Sequence, residues 1–219
     1  MRALFEKLLD LLFPPRCPFC RAILKDHEKI VCAACRKTLP WTRDTAQKQR
    51  FRHLELCVSP LYYEGDVRSS LLRYKFGGLS AYASAYAALL AACIDENDLS
   101  FDLIAWAPLG RKRLKKRGYD QARLLAQELS SHYAKPCPQL LIKCADNPPQ
   151  SGTGSAEKRK ANVAGVYRVT DPELFRGERV LLVDDIVTTG ATLSECARVL
   201  KAAGAKSVSA VTLARSRYE

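Results

Sequence analysis

Two adjacent acidic residues, Asp184 and Asp185, follow a run of apolar residues and precede a turn rich in threonine. Acids at the carboxyl end of a buried parallel strand lie at the edge of the sheet where α/β folds bind ligands. The turn leads into a predicted helix, whose first backbone N–H groups lack intrahelical partners and whose dipole favours anions. The sequence therefore predicts a phosphate cradle made of Thr188, Thr189, Gly190, Ala191 and Thr192.

The two acids extend the prediction from a phosphate to a sugar phosphate, because carboxylates accept hydrogen bonds from sugar hydroxyls. Two other interpretations stay open. Paired aspartates at a strand end also occur in response regulators, although there they open the domain and no threonine-rich turn follows. Alternatively, the acids only cap a structural strand–turn–helix unit. The sequence has no G-x-x-x-x-G-K-[ST] motif, which disfavours a nucleotide triphosphatase.

A basic run at residues 111–117 follows Pro108-Leu109-Gly110 at the end of a predicted strand. Arginine can hold phosphate oxygens with two parallel hydrogen bonds, so the run is a candidate anion site. A solvated charged face is an alternative interpretation. A third is contact with a nucleic-acid backbone through Lys115, Lys116 and Arg117, which would make affinity fall as salt rises.

Four of the nine cysteines form two C-x₂-C pairs that are separated by a short spacer. The four are Cys17, Cys20, Cys32 and Cys35. Paired knuckles of this kind present four thiolates to a tetrahedral Zn²⁺ ion. About forty residues cannot bury enough surface to fold alone, whereas a structural zinc supplies roughly 10–16 kcal/mol of apparent folding free energy. We therefore expect a structural zinc site, with a redox-active C-x-x-C pair as the alternative.

The candidate residues require elements to position them, and the apolar pattern predicts strands alternating with helices. We expect strands near 56–63, 101–106, 179–185 and 207–214, and helices near 66–76, 80–95, 120–133 and 191–203. This alternation predicts an α/β fold with a mostly parallel sheet. Residues 145–162 are polar and contain proline and glycine, which predicts a long loop.

The chain divides into three predicted parts: residues 1–41 with a helix and a zinc ribbon, a linker at 42–54, and a main domain at 55–219. The apolar pattern of residues 1–13 favours an amphipathic helix that packs on the protein, rather than one on a membrane surface. No stretch is long and apolar enough to span a membrane, and charges interrupt the first residues. We therefore expect a cytoplasmic protein.

Residues 182–193 resemble the signature of type I phosphoribosyltransferases, in which two acids precede a Thr-Gly-x-Thr turn. From Cys17 to Leu213 the chain resembles the ComF family, whose members join an N-terminal zinc module to a phosphoribosyltransferase domain. Residues 74–78 and 117–126 are similar to further family motifs, although Asp120 stands where asparagine is more usual. The resemblance implies a type I phosphoribosyltransferase-like sheet flanked by helices and preceded by a zinc ribbon.

The resemblance also implies roles toward phosphoribosyl pyrophosphate (PRPP). Asp184 and Asp185 would hold the ribose 2′ and 3′ hydroxyls, and residues 188–192 would surround the 5′-phosphate. Mg²⁺ would bridge pyrophosphate and ribose oxygens. The 145–162 loop resembles the mobile flap of these enzymes, with a plain disordered connection as the alternative. The residues expected to bind pyrophosphate are Arg111, Lys112, Arg117, Lys158 and Arg159.

Two functions follow from these observations. The first is a ComF-type protein that binds PRPP with Mg²⁺ and acts in DNA uptake during competence. Its expected partners are single-stranded DNA and proteins of the competence machinery. The second is an active transferase that moves ribose 5-phosphate to an unidentified acceptor in nucleotide metabolism. A net charge of +12 favours polyanionic partners under either hypothesis.

Overall fold

The computed structural model describes residues 14–25, 28, 30–144 and 165–217. The helix predicted at residues 1–13 and the loop predicted at 145–162, with Lys158 and Arg159, lie outside the described residues. The helices are α1 (Ala33–Thr38), α2 (Gly65–Phe76), α3 (Tyr82–Glu96), α4 (Arg111–Arg117), α5 (Gln121–Tyr133) and α6 (Ala191–Ala202). The strands are β1 (Lys48–Gln49), β2 (Cys57–Val58), β3 (Leu61–Tyr62), β4 (Leu103–Trp106), β5 (Leu141–Lys143), β6 (Tyr167–Val169), β7 (Arg179–Val187) and β8 (Ser207–Arg215).

The main sheet has the order β1-β2-β8-β7-β4, and β3 also pairs with β8. All its pairings are parallel except that of β1 with β2. A separate antiparallel pair is formed by β5 and β6. The prediction of an α/β fold with a mostly parallel sheet is confirmed, because the strands that alternate with helices pair side by side in one direction.

The main sheet is covered on both faces. Successive apolar side chains of its long strands β7 and β8 point to opposite faces and enter two separate buried clusters. Leu181 and Val183 of β7 belong to one buried cluster, while Val180 and Leu182 belong to the other. The first cluster includes residues of α2, α3 and α5, and the second includes residues of α6, β5 and β6. Strands buried on both faces are apolar throughout, which explains the unbroken apolar run before the acids.

The strand predicted at 56–63 is divided into β2 and β3, both of which lie beside β8. The break falls at Ser59 and Pro60, and proline cannot donate a hydrogen bond to a neighbouring strand. The hydroxyl of Ser59 instead forms a hydrogen bond of 2.7 Å with that of Thr212 in β8, and the Thr42 N–H donates to the Pro60 carbonyl oxygen at 2.9 Å. Side chains and loop backbone therefore replace the missing sheet hydrogen bonds.

The polar segment at 42–54 contains a 3₁₀ turn (Asp44–Gln47) and the edge strand β1. The segment contacts the rest of the protein through both its side chains and its backbone. Gln47 Nε2 donates to the Glu96 carboxylate at 2.9 Å at the end of α3, and Arg215 donates to the Ala46 carbonyl oxygen at 2.8 Å. None of the described helices is both long and apolar enough to cross a membrane.

Candidate functional site

Asp184 and Asp185 lie near the carboxyl end of β7, and their carboxylates have different surroundings. Asp185 is buried and accepts an ion pair of 2.9 Å from Lys75 Nζ in α2. Asp184 Oδ1 accepts the backbone N–H of Asp185 at 2.8 Å. Burial, together with the negative charge of Asp185, raises the pKa of Asp184 to about 8. The site therefore holds one ion-paired carboxylate beside one carboxyl group that resists ionisation.

Both acids line a cavity of about 150 Å³ at this edge of the sheet. A second cavity of about 100 Å³ shares Asp184 and Thr192 with the first and is otherwise lined by residues 186–193. The basic and aromatic residues of the larger cavity are Lys75, Arg113, Arg117, Lys143 and Tyr167. The structure thus brings the predicted acids and the predicted phosphate cradle together in adjoining spaces.

The basic run at 111–117 forms the helix α4, for which the sequence analysis predicted no element. Arg113 and Arg117, four residues apart and so on one face of the helix, line the larger cavity. Arg111 and Lys112, which the sequence assigned to pyrophosphate, are exposed and are not among its lining residues. Winding the run into a helix therefore divides its charges between the cavity and solvent.

Arg117 is the member of this run with the most defined surroundings. Its Nη1 donates to the Gln121 side-chain oxygen at 2.7 Å, and its guanidinium carbon lies 5.0 Å from the centroid of the Phe76 ring. Burial lowers the pKa of Arg117 from its usual value, while the nearby charge of Asp185 acts in the opposite direction. Arg117 is therefore held at the edge of the cavity by α2 and α5 together.

Asp120 fixes the loop that precedes α4. Its Oδ2 accepts the N–H of Leu109 at 2.9 Å, and its Oδ1 accepts the N–H of Arg123 at 3.2 Å, so that it caps α5. Burial raises the pKa of Asp120. Asparagine has one acceptor oxygen, whereas a carboxylate has two, and both are used here. Aspartate at this position therefore holds both the loop before α4 and the start of α5, although asparagine is more usual here in the ComF family.

Gly190 gives the turn of the predicted phosphate cradle its shape. Its φ of +68° places it in the left-handed region at the N-terminus of α6, where the Ser194 N–H donates to its carbonyl oxygen at 2.8 Å. A Cβ added to Gly190 would lie 2.2 Å from the Phe51 ring. Phe51 thus packs against the turn from the segment at 42–54, and only glycine fits between them. The N–H groups of residues 191–193 have no intrahelical acceptor and remain for an anion.

Sequence reasoning missed Lys75, Arg113, Lys143 and Tyr167 as members of the site. Lys75 lies within the motif at 74–78, which was assigned no role, and Arg113 lies within the basic run. Lys143 and Tyr167 face each other across β5 and β6, with the ammonium 5.3 Å from the ring centroid. Neither of these two carries a sequence signal, because a long loop separates their strands in the chain.

The four paired cysteines form one compact cluster. Their Sγ atoms all lie within 4.8 Å of one another, and Cys17, Cys32 and Cys35 are buried while Cys20 is exposed. Thiolates about 2.3 Å from a tetrahedral zinc lie roughly 3.8 Å apart, so the cluster fits a zinc ion. Four cysteine ligands leave no open coordination position, which makes the site structural rather than catalytic.

Helix α2 connects the cysteine cluster to the larger cavity. Arg73 Nη2 donates to the carbonyl oxygens of Phe19 at 2.6 Å and Pro18 at 3.1 Å, both in the first cysteine knuckle. The Ser70 hydroxyl also donates to the Pro18 oxygen. Two residues beyond Arg73, Lys75 reaches Asp185. The position of Lys75 in the cavity therefore depends on a helix that the knuckle holds.

Two family models match the chain. The phosphoribosyl transferase domain matches residues 114–218, and the double zinc ribbon domain matches residues 8–48. The first covers the acids and the cradle, and the second covers the cysteine cluster. The type I phosphoribosyltransferase-like fold and the N-terminal zinc ribbon expected from the sequence are confirmed.

Curated relatives align with nearly the whole chain. Competence protein ComFC of Bacillus subtilis is 30% identical over 203 residues, covering 91% of this chain and 78% of that protein. Competence protein F of Haemophilus influenzae is 26% identical over 222 residues, with 92% and 97% covered. DNA utilization protein YhgH of Escherichia coli is 28% identical over 206 residues, with 91% and 84% covered. The similarity therefore includes both the zinc ribbon and the main domain.

Replacing one cysteine of the cluster tests its structural role. Cys35→Ser leaves three thiolates, so we expect the purified protein to lose its zinc. Because structural zinc is worth roughly 10–16 kcal/mol in zinc-finger peptides, the module should lose its fold and the thermal midpoint should fall. Zinc released on denaturation and a thermal melt measure both effects. Cys144→Ser, an exposed cysteine outside the cluster, is the control. Unchanged zinc content in Cys35→Ser would refute the assignment.

The raised pKa of Asp184 predicts a pH-dependent stability. The unfolded chain ionises this carboxyl group near its ordinary pKa, while the folded protein retains the proton to about pH 8, so stability falls as pH rises between these values. Asparagine keeps the acceptor for the Asp185 N–H but never ionises. We expect Asp184→Asn to melt at about the same temperature as wild type near pH 4 and higher at pH 8, where about 1 kcal/mol corresponds to roughly 2–4 °C.

Asp102→Asn is the matched control of opposite sign. Asp102 accepts hydrogen bonds from the Arg179 guanidinium at 2.6 and 2.9 Å, and these bonds hold the pKa of Asp102 below its usual range. Its stabilisation is present above the ordinary aspartate pKa and is lost as pH falls, so this variant should melt lower than wild type at pH 8. If Asp184→Asn also melts lower at pH 8, the carboxyl group at 184 is not destabilised as argued.

Proposed function

Because the chain belongs to the ComF family of competence proteins, we propose that its phosphoribosyltransferase domain binds PRPP with Mg²⁺ and that the protein acts in the handling of DNA during uptake. One observation carries the first part. The paired acids, the turn at 188–192 and two arginines of α4 border two adjoining cavities at the carboxyl edge of the sheet. The order is an anion-binding turn, then two acids, then two arginines. A ligand with a sugar between two anionic groups matches it.

The smaller cavity suits the 5′-phosphate of the ligand. It is lined by the turn from Thr188 to Thr192, in which Gly190 is the N-cap residue immediately before α6. The free N–H groups of the first helical turn and the helix dipole both favour an anion at this position. Threonine hydroxyls add further donors. Phe51 packs on the outer side of Gly190 and holds the turn in this conformation.

The acids lie where the two cavities meet, which suits the ribose between its phosphates. Asp184 lines both cavities and Asp185 lines the larger one. Ionised carboxylates accept hydrogen bonds from vicinal hydroxyls. Lys75 neutralises Asp185 before the ligand arrives, so the charge of the acids does not repel the phosphates outright. Asp184, with its raised pKa, gains its negative charge most readily when a cation is bound nearby.

The larger cavity suits the pyrophosphate. Arg113 and Arg117 of α4 line it, and Lys143 approaches from β5. Arg117 was already predicted from the sequence to contact pyrophosphate, and we add Arg113 and Lys143 to it. Arg111 and Lys112, predicted with it, do not line this cavity. Arginine forks match phosphate oxygens, and the half-buried Arg117 is already oriented by Gln121.

The donor set fits Mg²⁺. Magnesium in proteins is commonly held by one or two carboxylates together with phosphate oxygens of the ligand, and Asp184 and Asp185 provide the carboxylates. When bound, the ion would neutralise charge on the pyrophosphate. The residues of the chain itself orient the ribose and hold the two phosphate ends.

The proposed role in DNA handling is supported by the names of the relatives and by the charge of α4. Relatives are named competence protein and DNA utilization protein. Lys115 and Lys116, two of the residues predicted to contact nucleic acid, are exposed on α4 and outside the ligand cavity. Arg117, the third, borders the cavity and contacts Phe76. The net charge of +12 attracts polyanions such as DNA.

Isothermal titration calorimetry with PRPP and Mg²⁺ tests the ligand. We expect saturable binding by the wild type and weaker binding by Asp184→Asn and Asp185→Asn. Each substitution removes a charge-assisted hydrogen bond worth about 1.5–3 kcal/mol, which corresponds to roughly 10- to 150-fold in Kd. Glu173→Gln, which removes a carboxylate from an exposed ion pair with Arg176, should bind as the wild type does.

Two outcomes of the titration would contradict the proposal: no heat from the wild type, or equal affinity in all four proteins. Release of pyrophosphate from the same mixture, followed with and without nucleobases, separates binding from transfer. Binding without release supports a ligand-binding role, whereas release with one acceptor supports the transferase hypothesis.

A further inference from the structure

Phe76 is an aromatic side chain held in solvent beside the ligand cavity. It ends α2 and is 61% exposed, whereas Tyr74, two residues earlier, is fully buried. Leu114 of α4 is 41% exposed. Arg117 joins them, because its guanidinium lies 5.0 Å from the Phe76 ring centroid and Leu114 precedes it by three residues on the same helix. We call Phe76, Arg117 and the helical neighbour Leu114 together the Phe76 patch.

The backbone beside the Phe76 ring leaves room for a ligand. Gly77 and Gly78 follow Phe76, and no heavy atom lies within 4 Å of the position that a Cβ of Gly78 would occupy. Arg117 lies over the ring at one face, so much of the exposed surface belongs to the rest of the ring. A flat molecule can therefore approach Phe76 over Gly78, where no side chain stands in the way.

The helix α4, which contributes Leu114 and Arg117 to the Phe76 patch, is strongly basic. Four further cations of α4 are exposed: Arg111, Lys112, Lys115 and Lys116. Their spacing places them along one side of the helix, apart from the cavity that Arg113 and Arg117 line. An apolar, aromatic patch beside a row of cations is the combination that single-stranded nucleic acids bind, since bases stack on aromatic rings while phosphates follow the charges.

We propose that Phe76 is a stacking platform for an unpaired base of single-stranded DNA whose phosphates lie along the exposed cations of α4. The occupant is a single strand because the bases of a duplex already stack on each other and present no free face. This proposal rests on the proposed role in DNA handling and adds its contact residue. The guanidinium of Arg117 lies over the same ring and strengthens the platform.

The platform also lies next to the proposed PRPP site. Lys75 and Arg117 both line the ligand cavity, and Phe76 is the chain neighbour of one and the ring contact of the other. A base stacked on Phe76 would therefore sit at the mouth of that cavity. The base contact requires the aromatic ring, whereas Arg117, the proposed pyrophosphate residue beside the ring, is also held by its hydrogen bond to Gln121.

Fluorescence anisotropy with two labelled oligonucleotides of equal length tests the platform. One is a thymidine strand and the other carries abasic sites, so that the phosphates are the same and the bases are absent. Stacking is worth about 1–3 kcal/mol per base, so Phe76→Ala should weaken binding of the thymidine strand by about 5- to 150-fold. Phe76→Tyr, which keeps the ring, should bind it as the wild type does. The abasic strand should bind wild type and Phe76→Ala equally.

Two further comparisons separate stacking from charge and from general loss of apolar surface. The dependence of affinity on salt should be the same in Phe76→Ala and wild type, because no cation is lost. Leu174→Ala, which shortens another exposed apolar side chain (49% exposed) away from α4, should leave binding unchanged. Circular dichroism and PRPP calorimetry on Phe76→Ala verify that the variant is folded and retains its cavity.

Several results would overturn the proposal. If wild type binds the thymidine and abasic strands equally, no base is stacked. If Phe76→Ala loses affinity for both strands alike, the ring supports the fold and not a base. If wild type binds neither strand, both the platform and the role in DNA handling fail, while PRPP calorimetry still reports the ligand site independently.

Discussion

The pair of adjacent carboxyl groups at the end of β7 is the constraint on which the rest of the site depends. Two acids side by side repel each other when ionised, and burial adds to the cost. Two features reduce this unfavourable energy: Lys75 neutralises the charge of Asp185, and Asp184 keeps its proton to a higher pH. The site is thereby stable without a ligand, yet it contains the oxygen acceptors that a sugar phosphate and its cation would use.

Keeping Lys75 in place requires α2 to be fixed, and the zinc ribbon fixes it. Arg73 and Ser70 donate to carbonyl oxygens of the first cysteine knuckle, and Phe19 of that knuckle packs 5.9 Å from the ring of Tyr86. The ribbon is too small to fold without metal. The position of Lys75, and with it the ion pair to Asp185, therefore depends on the zinc ion through the ribbon and α2. One turn beyond Arg73, at the C-terminus of α2, Phe76 is presented to solvent and contacts Arg117 of the basic helix α4.

The features that sequence could predict are those with a local pattern. The apolar run, the paired acids and the threonine turn lie within a few residues of one another, and so do the cysteine pairs; the fold class and the zinc ribbon are confirmed, while the roles of individual site residues stay predictions. The division of the basic run was not predictable, because a stretch of cations has no apolar period to reveal a helix. Phe51 against Gly190 and Tyr167 beside Lys143 are contacts between distant segments, which only the folded chain creates.

We propose that the two cavities at the carboxyl edge of the main sheet together hold one PRPP molecule. A crystal structure of the protein with PRPP and Mg²⁺ tests it most directly. We expect the 5′-phosphate to lie against the turn at 188–192, the ribose hydroxyls against Asp184 and Asp185, and the pyrophosphate beside Arg113 and Arg117. A ligand whose phosphates bind instead to the exposed face of α4, with neither carboxylate touching the ribose, would contradict it.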